Sequence, residues 1–401
     1  MRILTFTTLY PNREKPGHGI FVETRLRHLV MSGQVEARVM APVPWFPFEH
    51  SGFGQYASYA RVPHAETRLG IAVDHPRYPV VPKIGMNIAP YLLAKAARPA
   101  VQRMIDAGHD FDLIDAHYFY PDGVAAVMLA KQFNKPVVVT ARGSDITFFP
   151  QYPRPRDRIL WAAKEADAVI TVCQALKDEM VRLGVPATRI TTLRNGVDLD
   201  LFAPVERDAV RRRLGIEGFT LLSVGNLIPL KGHDLVIEAL HALPGVRLLI
   251  AGKGAEREAL EARARALRVA DRVRFLGTLP QSELRNYYGA ADALVLASSR
   301  EGWANVLLES MACGTPVVAS RVWGTPEVVA SPDAGLLMET RCADGIARAV
   351  RQLHQNYPDR ARTRRYAEGF SWDETTAGQI RLFNEVLRRR ASASRSLAEA
   401  A

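Results

Sequence analysis

At 401 residues the chain is too long for one ordinary hydrophobic core and suits two domains of roughly 200 residues each. Its 48% hydrophobic content is that of a globular protein and excludes disordered or fibrous classes, while the lack of any run of about 18 apolar residues excludes a membrane-spanning helix. The formal charge of +10 and pI near 9.6 ask for anionic partners: an anionic lipid surface or a pyrophosphate-bearing substrate fits better than nucleic acid, for which no module is present, and an Arg-rich surface without function is the plain alternative.

Apolar segments followed by amphipathic ones recur along the chain, the order expected of parallel sheets with crossover helices. Met1–Tyr10 begins apolar but lacks a long apolar centre and a small-residue cleavage site, so a first buried strand over Ile3–Thr8 is the better reading than a secretion signal. A helix near Phe21–Ser32 and a strand over Ala37–Ala41 follow. Residues 42–90, rich in Pro, Gly and aromatics, read as a long loop region of the kind that carries binding function. Ile88–Arg98 mixes apolar and basic residues; it is either a core-facing helix or, with Trp45, Phe46 and Phe48, a bilayer-docking surface. Asp112–Ala116, Pro136–Thr140 and Ala168–Val172 are further strands.

A boundary falls near Asn195–Phe202, giving domains over 1–200 and 201–372 and a crossover helix with a fraying tail over 373–401. The second half restarts with strands at Thr220–Val224, Val246–Ala251, Val273–Leu276, Ala293–Ala297 and Val317–Ala319. Helices are expected near Asp234–Ala242, Ala255–Arg268, Ala343–Tyr357 and Trp372–Arg390. Cys173, Cys313 and Cys342 form an odd set without paired or metal-like spacing, which favours a reducing cytoplasm.

Chemistry-bearing residues collect where strands end, which is where open α/β proteins bind ligands. Pro16-Gly17-His18-Gly19 follows the first strand and could cradle a phosphate with backbone amides, or be a plain surface turn. Asp115-Ala-His117 and Thr140-Ala-Arg142-Gly143-Ser144-Asp145 follow two others; Arg142 either contacts a phosphate or pairs with Asp145. Gly225-Asn226 leads to Lys231-Gly232, a cation placed to neutralise a diphosphate leaving group unless it is an ordinary surface lysine. Gly252-Lys253-Gly254 lacks the third glycine of a dinucleotide fingerprint, and Asp198-Leu-Asp200 is a turn pair rather than a metal site. Gly324-Thr-Pro-Glu327 either lines a pocket or simply starts a helix.

The most telling stretch is Glu301-Gly-Trp-Ala-Asn305-Val306-Leu-Leu-Glu309. It places a helix start, whose free N–H groups favour phosphate, between two carboxylates able to accept from sugar and ribose hydroxyls. The pattern resembles the Glu-x7-Glu signature of retaining glycosyltransferases of family 4, and Gly17–Arg25 with Tyr120–Gly123 is most similar to enzymes of teichuronic-acid and exopolysaccharide assembly.

That resemblance implies an α/β GT-B architecture, two Rossmann-like domains whose parallel sheets face across a cleft, the last helix returning to the first domain. It implies catalytic roles for His117, Lys231 and Glu301, with His117 meeting the donor sugar or orienting the acceptor hydroxyl without being a full general base. Gly19, Arg142, Asn226, Asn305, Val306 and Glu309 would bind the donor, and His18 and Asp145 the acceptor. Family members usually carry Arg where this chain has Asn226, and Arg142 is one candidate substitute. No cofactor and no metal are implied, only a UDP- or GDP-sugar donor. The expected reaction transfers a sugar to a glycan acceptor, lipid-linked, in cell-surface polysaccharide biosynthesis, by a cytoplasmic enzyme peripheral to the inner face of the plasma membrane. A glycoside phosphorylase, a sugar-nucleotide epimerase and a non-catalytic assembly scaffold are the alternatives.

Overall fold

The computed structural model describes residues 1–50, 52, 54–80 and 85–399. The chain folds into two units, one of Met1–Arg194 plus the residues from Asp373 onward, and a second of Asn195–Trp372.

The first unit runs β1 (Arg2–Phe6), α1 (Ile20–Met31), β2 (Glu36–Met40), β3 (Val43–Pro44), α2 (Gln55–Arg61), β4 (Ala65–Arg68), β5 (Ile71–Asp74) and β6 (Arg77–Tyr78). It continues with α3 (Gly85–Asp106), β7 (Leu113–His117), α4 (Val124–Phe133), β8 (Val137–Ala141), α5 (Ser144–Thr147), α6 (Pro153–Glu165), β9 (Ala168–Thr171), α7 (Gln174–Arg182) and β10 (Ile190–Thr192). Among the described residues, eight of these strands form one sheet in the order β10-β9-β8-β7-β1-β2-β5-β4. Every pairing in it is parallel except β4 with β5. β7 and β8 are buried along their whole length, as crossover helices on both faces require, so they read as continuous apolar runs.

The second unit runs α8 (Arg207–Leu214), β11 (Thr220–Val224), α9 (His233–Ala239), β12 (Arg247–Ala251), α10 (Arg257–Ala266), β13 (Val273–Gly277), α11 (Gln281–Ala290) and β14 (Ala293–Leu296). Then come α12 (Asn305–Ala312), β15 (Val317–Ser320), α13 (Thr325–Val328), β16 (Gly335–Met338), α14 (Ala343–Gln355) and α15 (Arg360–Glu368). Its sheet is wholly parallel, in the order β13-β12-β11-β14-β15-β16. The core around Leu221, Leu248, Ile250, Val295 and Val318 is closed by α9 and α14 through Val236, Ile237, Ile346 and Val350.

The final helix, α16 (Trp372–Glu399), puts Ile380, Phe383 and Val386 into the first unit's core beside Ile3, Leu26 and Val138. The tail expected to fray from Ala391 remains helical through Glu399; its Ala-rich composition has high helix propensity.

Two other expectations are corrected. The boundary lies at Arg194/Asn195 rather than 200/201, because residues after Arg194 are sewn into the second unit: Val197 N–H donates to Phe370 O at 2.9 Å. Residues 42–90 are not a long loop, since β3, α2 and β4 to β6 lie there. These elements are two to seven residues long, too short to leave a period between prolines, although β5 buries Ile71 and Val73 in alternation. Residues 81–84 of this region lie outside the described residues. Ile88–Arg98 belongs to α3, which buries Leu93, Ala94, Ala97, Val101 and Met104, a core-facing helix.

Candidate active site

In the second sheet β11 pairs with β12 on one side and β14 on the other. Chain order reverses there, and open α/β sheets bind ligands beyond the carboxyl ends of the strands at such a switch point; the loops leaving β11 and β14 lie side by side at that edge. These loops carry Lys231 and Glu301.

The β11 loop closes in a tight turn at Pro229–Lys231, followed by Gly232 at φ +68°. A Cβ on Gly232 would lie 2.3 Å from the Ala297 carbonyl oxygen, so only glycine lets this turn rest against the end of β14. Ser299 N–H donates to Leu230 O at 2.9 Å and ties the two loops together. Lys231 Nζ then lies 2.5 Å from Glu301 Oε1, with side-chain exposures of 21% and 11%. The lysine stem runs over Gly225.

The β14 loop continues through buried Trp303 and Ala304 into α12. Leu307 N–H donates to Ala304 O at 3.0 Å, while Asn305 and Val306 occupy the first helical positions, whose amides no preceding turn can receive. Asn305 Oδ1 accepts from Asn195 Nδ2 at 3.2 Å.

Glu309 departs from the open carboxylate expected of it. Its Oε2 accepts from Tyr288 Oη at 2.8 Å. Burial pushes its carboxyl up to about 7, against the hydrogen bonds from Tyr288 and Gln281 that favour the ionised form.

Asn226 is exposed and uncharged in its side chain. The Gly252–Gly254 turn is spent on its neighbours: Gly252 N–H donates to Gly277 O at 2.8 Å, and Lys253 O accepts from Leu227 N–H at 2.9 Å. Asp198 Oδ1 closes its own turn by accepting from the amides of Asp200 and Leu201 at 3.2 and 2.9 Å. Gly324–Glu327 leads into the short helix α13.

In the first sheet the switch point lies between β1 and β7. Gly19, at φ +69°, packs where a Cβ would be 2.2 Å from Leu9 O, and His18 Nε2–H donates to Thr8 O at 3.0 Å. The glycine loop therefore lies on the exit of β1. That exit is fixed by Asp122, which accepts from Thr8 N–H at 2.5 Å, Thr8 Oγ1 at 2.9 Å and Thr7 Oγ1 at 3.2 Å.

At the end of β7 His117 is 1% exposed. Its Nε2–H donates to Asp115 Oδ2 at 3.2 Å, and its Nδ1 accepts from Arg142 Nη2 at 2.8 Å. Burial, and the neighbouring Arg142 and Arg25, lower its pKa to about 4 despite Asp115, so the ring is neutral at physiological pH. Both ring nitrogens are engaged by protein groups, Nε2 with Asp115 and Nδ1 with Arg142.

The Arg142 guanidinium faces His117 and the Phe21 ring, 5.4 Å away. Burial, then Arg25, lower its pKa to about 9. Asp145, expected at the acceptor, is fully buried. Its carboxylate accepts from the amides of Phe119 at 2.7 Å, Arg142 at 3.0 Å and Gly143 at 2.6 Å. A carboxylate two residues past a tight turn meets the turn's own amides first, and Asp145 is the knot of that turn.

The model described as Glycosyl transferases group 1 matches residues 206–370, and that described as Glycosyltransferase Family 4 matches residues 54–201. A D-inositol 3-phosphate glycosyltransferase of Frankia alni is 33% identical over 313 residues, covering 70% of this chain and 77% of the relative. The chain is a family 4 glycosyltransferase.

The glycosyltransferase is also 28% identical over 357 residues to a Bacillus subtilis (strain 168) protein named as a teichuronic acid biosynthesis glycosyltransferase, TuaC, covering 87% of this chain and 88% of that one. Its fold is GT-B. Sucrose-phosphate synthase from Thermosynechococcus elongatus superposes with a TM-score of 0.73 at 21% identity, covering 100% of this chain and 99% of that one. Anabaena Alr3699/HepE in complex with UDP does so at 0.70 and 20%, covering 98% and 100%.

Sequence reasoning missed four residues of this glycosyltransferase that hold the site groups: Tyr288 on Glu309, Asp122 on the β1 exit, and Arg25 and Gln379 behind Asp115. Arg25 and Asp122 lie within the Gly17–Arg25 and Tyr120–Gly123 stretches, but nothing local gave them these roles, whereas Asp115 stands two positions before His117 on one strand, hence on the same face. Tyr288 and Gln379 lie 21 and 264 residues from their partners, beyond any local pattern.

Proposed function

We propose that this glycosyltransferase moves a sugar from a UDP- or GDP-sugar to a hydroxyl of a glycan acceptor carried on a lipid diphosphate, with retention at the anomeric carbon and without metal, in cell-surface polysaccharide assembly. The observation that carries this reading is the Lys231–Glu301 pair, 2.5 Å apart and part-buried, at the switch point of the second sheet and one short loop from the start of α12. An arriving diphosphate competes for Lys231 and for the amides of Asn305 and Val306. Glu301, released from the ammonium, accepts from sugar hydroxyls. Glu309 keeps its hydrogen bonds from Tyr288 and Gln281 and offers a remaining lone pair to a ribose hydroxyl.

As the diphosphate departs, charge on its oxygens is stabilised by Lys231 and the helix start, and oxocarbenium character develops on the sugar. The acceptor oxygen attacks from the leaving group's face and gives its proton to the departing phosphate oxygen, so no separate protein base is required. In the second unit Asn226 lines the donor; in the first unit His18 meets the acceptor, and Gly19 and Arg142, the latter held by neutral His117, meet phosphate. Support comes from the Anabaena Alr3699/HepE structure in complex with UDP-glucose and from the relatives' names.

Among the described residues no helix is long and apolar enough to cross a membrane. The exposed Trp45, Phe48 and Tyr56, with Lys15 over the Tyr59 ring, suit attachment to an anionic cytoplasmic leaflet. Trp45→Ser with Phe48→Ser is expected to abolish co-sedimentation with anionic vesicles and to leave nucleotide binding intact.

The test of function is a thermal-shift screen over nucleotide sugars, followed by transfer to lipid-linked glycans and determination of the product's anomeric configuration by NMR. Stabilisation by one UDP- or GDP-sugar and a retained anomeric centre are expected. Conversion of donor without any acceptor, or phosphate-dependent cleavage of glycan without nucleotide, would replace the proposal with an epimerase or a phosphorylase.

A further inference from the structure

Behind His117 lies a chain of buried hydrogen bonds that ends on the carboxy-terminal helix. Gln379 of α16 is fully buried. Its Oε1 accepts from Arg25 Nε–H at 2.8 Å, and its Nε2 donates to Asp115 Oδ2 at 3.1 Å. The same carboxylate oxygen accepts from His117 Nε2 at 3.2 Å, and His117 Nδ1 accepts from Arg142 Nη2 at 2.8 Å. Arg25, 1% exposed, also donates to Leu193 O at 3.2 Å.

The direction of each bond is dictated by chemistry. A guanidinium only donates and a carboxylate only accepts, so the Gln379 amide has one orientation, oxygen toward Arg25 and nitrogen toward Asp115. The imidazole is constrained from both ends. Asp115 accepts from Nε2, which therefore carries the hydrogen, and Arg142 donates to Nδ1, which therefore presents its lone pair. One ring tautomer satisfies both neighbours, and it requires the imidazole to be uncharged.

We infer that Gln379 is a positioning residue: through Asp115 it locks His117 in the Nε2–H tautomer, whose Nδ1 lone pair holds the Arg142 guanidinium in place. The carboxy-terminal helix thereby sets the direction of a cation at the end of β8.

The charged groups facing the ring are Asp115 on its own strand, Arg25 on α1 and Arg142 after β8. Among the described residues Asp115 Oδ1 is buried without a hydrogen-bond partner, and Oδ2 accepts from Gln379 and His117. Removing the amide leaves a buried carboxylate with one donor. Protonating His117 would supply a charged donor to Asp115 but would set an Nδ1–H against the guanidinium of Arg142. Gln379 removes the need for that proton. An amide is the one side chain of this length that satisfies a guanidinium and a carboxylate together without carrying charge.

The kinetic part of the inference rests on the proposed transfer reaction; the ring tautomer does not, and the experiment separates the two. In full-length protein, the ring nitrogens of His117 are followed by nitrogen NMR with labelled histidine, the signal being assigned by its loss in His117→Asn. Wild type is expected to show an Nε2–H neutral ring across pH 5.5–8. Gln379→Leu, of nearly equal volume and without hydrogen bonds, is expected to show mixed tautomers or a charged ring in that range. Gln379→Glu keeps the bond to Arg25 but sets a carboxyl against Asp115, and is expected to charge the ring at the lower end of the range.

In both variants kcat/KM for the donor should fall about tenfold or more, the size of effect seen when a ligand's supporting partner is removed elsewhere, at temperatures well below melting. A wild-type ring pattern in Gln379→Leu, with unchanged kinetics and only a lower melting temperature, would reduce Gln379 to a core residue and overturn the inference. If wild type shows the locked tautomer but transfers no sugar, the proposed function fails and the positioning of His117 stands.

Discussion

Replacing Lys231 by Met and Glu301 by Gln, singly and together, measures how strongly the two loops at the second switch point are joined. Two unit charges 2.5 Å apart attract by about 7 kcal/mol at an effective dielectric constant of about 20. With side-chain exposures of only 21% and 11%, desolvation cancels most of that attraction, leaving about 2 kcal/mol for a charge-assisted hydrogen bond. Each single substitution should therefore cost about 2 kcal/mol, because the survivor remains part-buried without its partner. The double substitution should cost nearly the same about 2 kcal/mol, since no orphaned charge is left. For a unit of this size about 1 kcal/mol moves the melting temperature by roughly 2–4 °C, so each variant should melt roughly 4–8 °C early by calorimetry of the full chain. Losses that simply add in the double variant would refute the reasoning, because they would mean that the two groups do not feel one another in solution.

Three further predictions concern the groups that hold the site. Gly232→Ala places a methyl 2.3 Å from the Ala297 carbonyl oxygen at φ +68°; it should destabilise by about 1–3 kcal/mol and depress transfer far more than Gly215→Ala, also at positive φ but with nothing within 4 Å. Tyr288→Phe removes the hydroxyl donor to Glu309 and should cost about 1–3 kcal/mol, with a further rise of the Glu309 pKa detectable by carbon NMR. Burial pushes Asp122 from 3.8 to about 7, so between those values the folded chain keeps a proton that the unfolded chain has released. Stability from this group is full below pH 3.8 and is lost as pH rises toward 7; Asp122→Asn, which cannot ionise, should flatten that part of the stability–pH curve in urea titrations, and an unchanged curve would remove Asp122 from the account.

Much of the fold was legible because its information is local. The parallel strands of the second unit are buried on both faces, and apolar runs such as Thr220–Val224 show in the sequence at their true limits. The short strands of residues 65–78 were not legible, since two- and four-residue elements leave no period to read. At the site, the sequence placed Lys231, Glu301 and the start of α12 at strand ends, and the structure brings Lys231 onto Glu301. What no local pattern carried was occupancy. His117, Glu309 and Asp145 look like available polar groups in a string of residues, yet each is engaged by a neighbour. Two of those neighbours, Arg142 and Tyr288, arrive from other elements, and whether a carboxylate faces a ligand or a backbone amide depends on such arrivals. Gln379, from the last helix, is the extreme case.

The central claim is that a nucleotide diphosphate is held by Lys231 and the first amides of α12 beside Glu301. Calorimetric titration of the full chain with UDP and with GDP, in wild type and in Lys231→Met, tests it most directly. One nucleotide should bind wild type and lose about 100-fold in affinity, close to the about 2.7 kcal/mol of a removed charge-stabilising contact, in the variant. Equal affinity in both proteins, for whichever nucleotide binds, would place the diphosphate elsewhere and contradict the account.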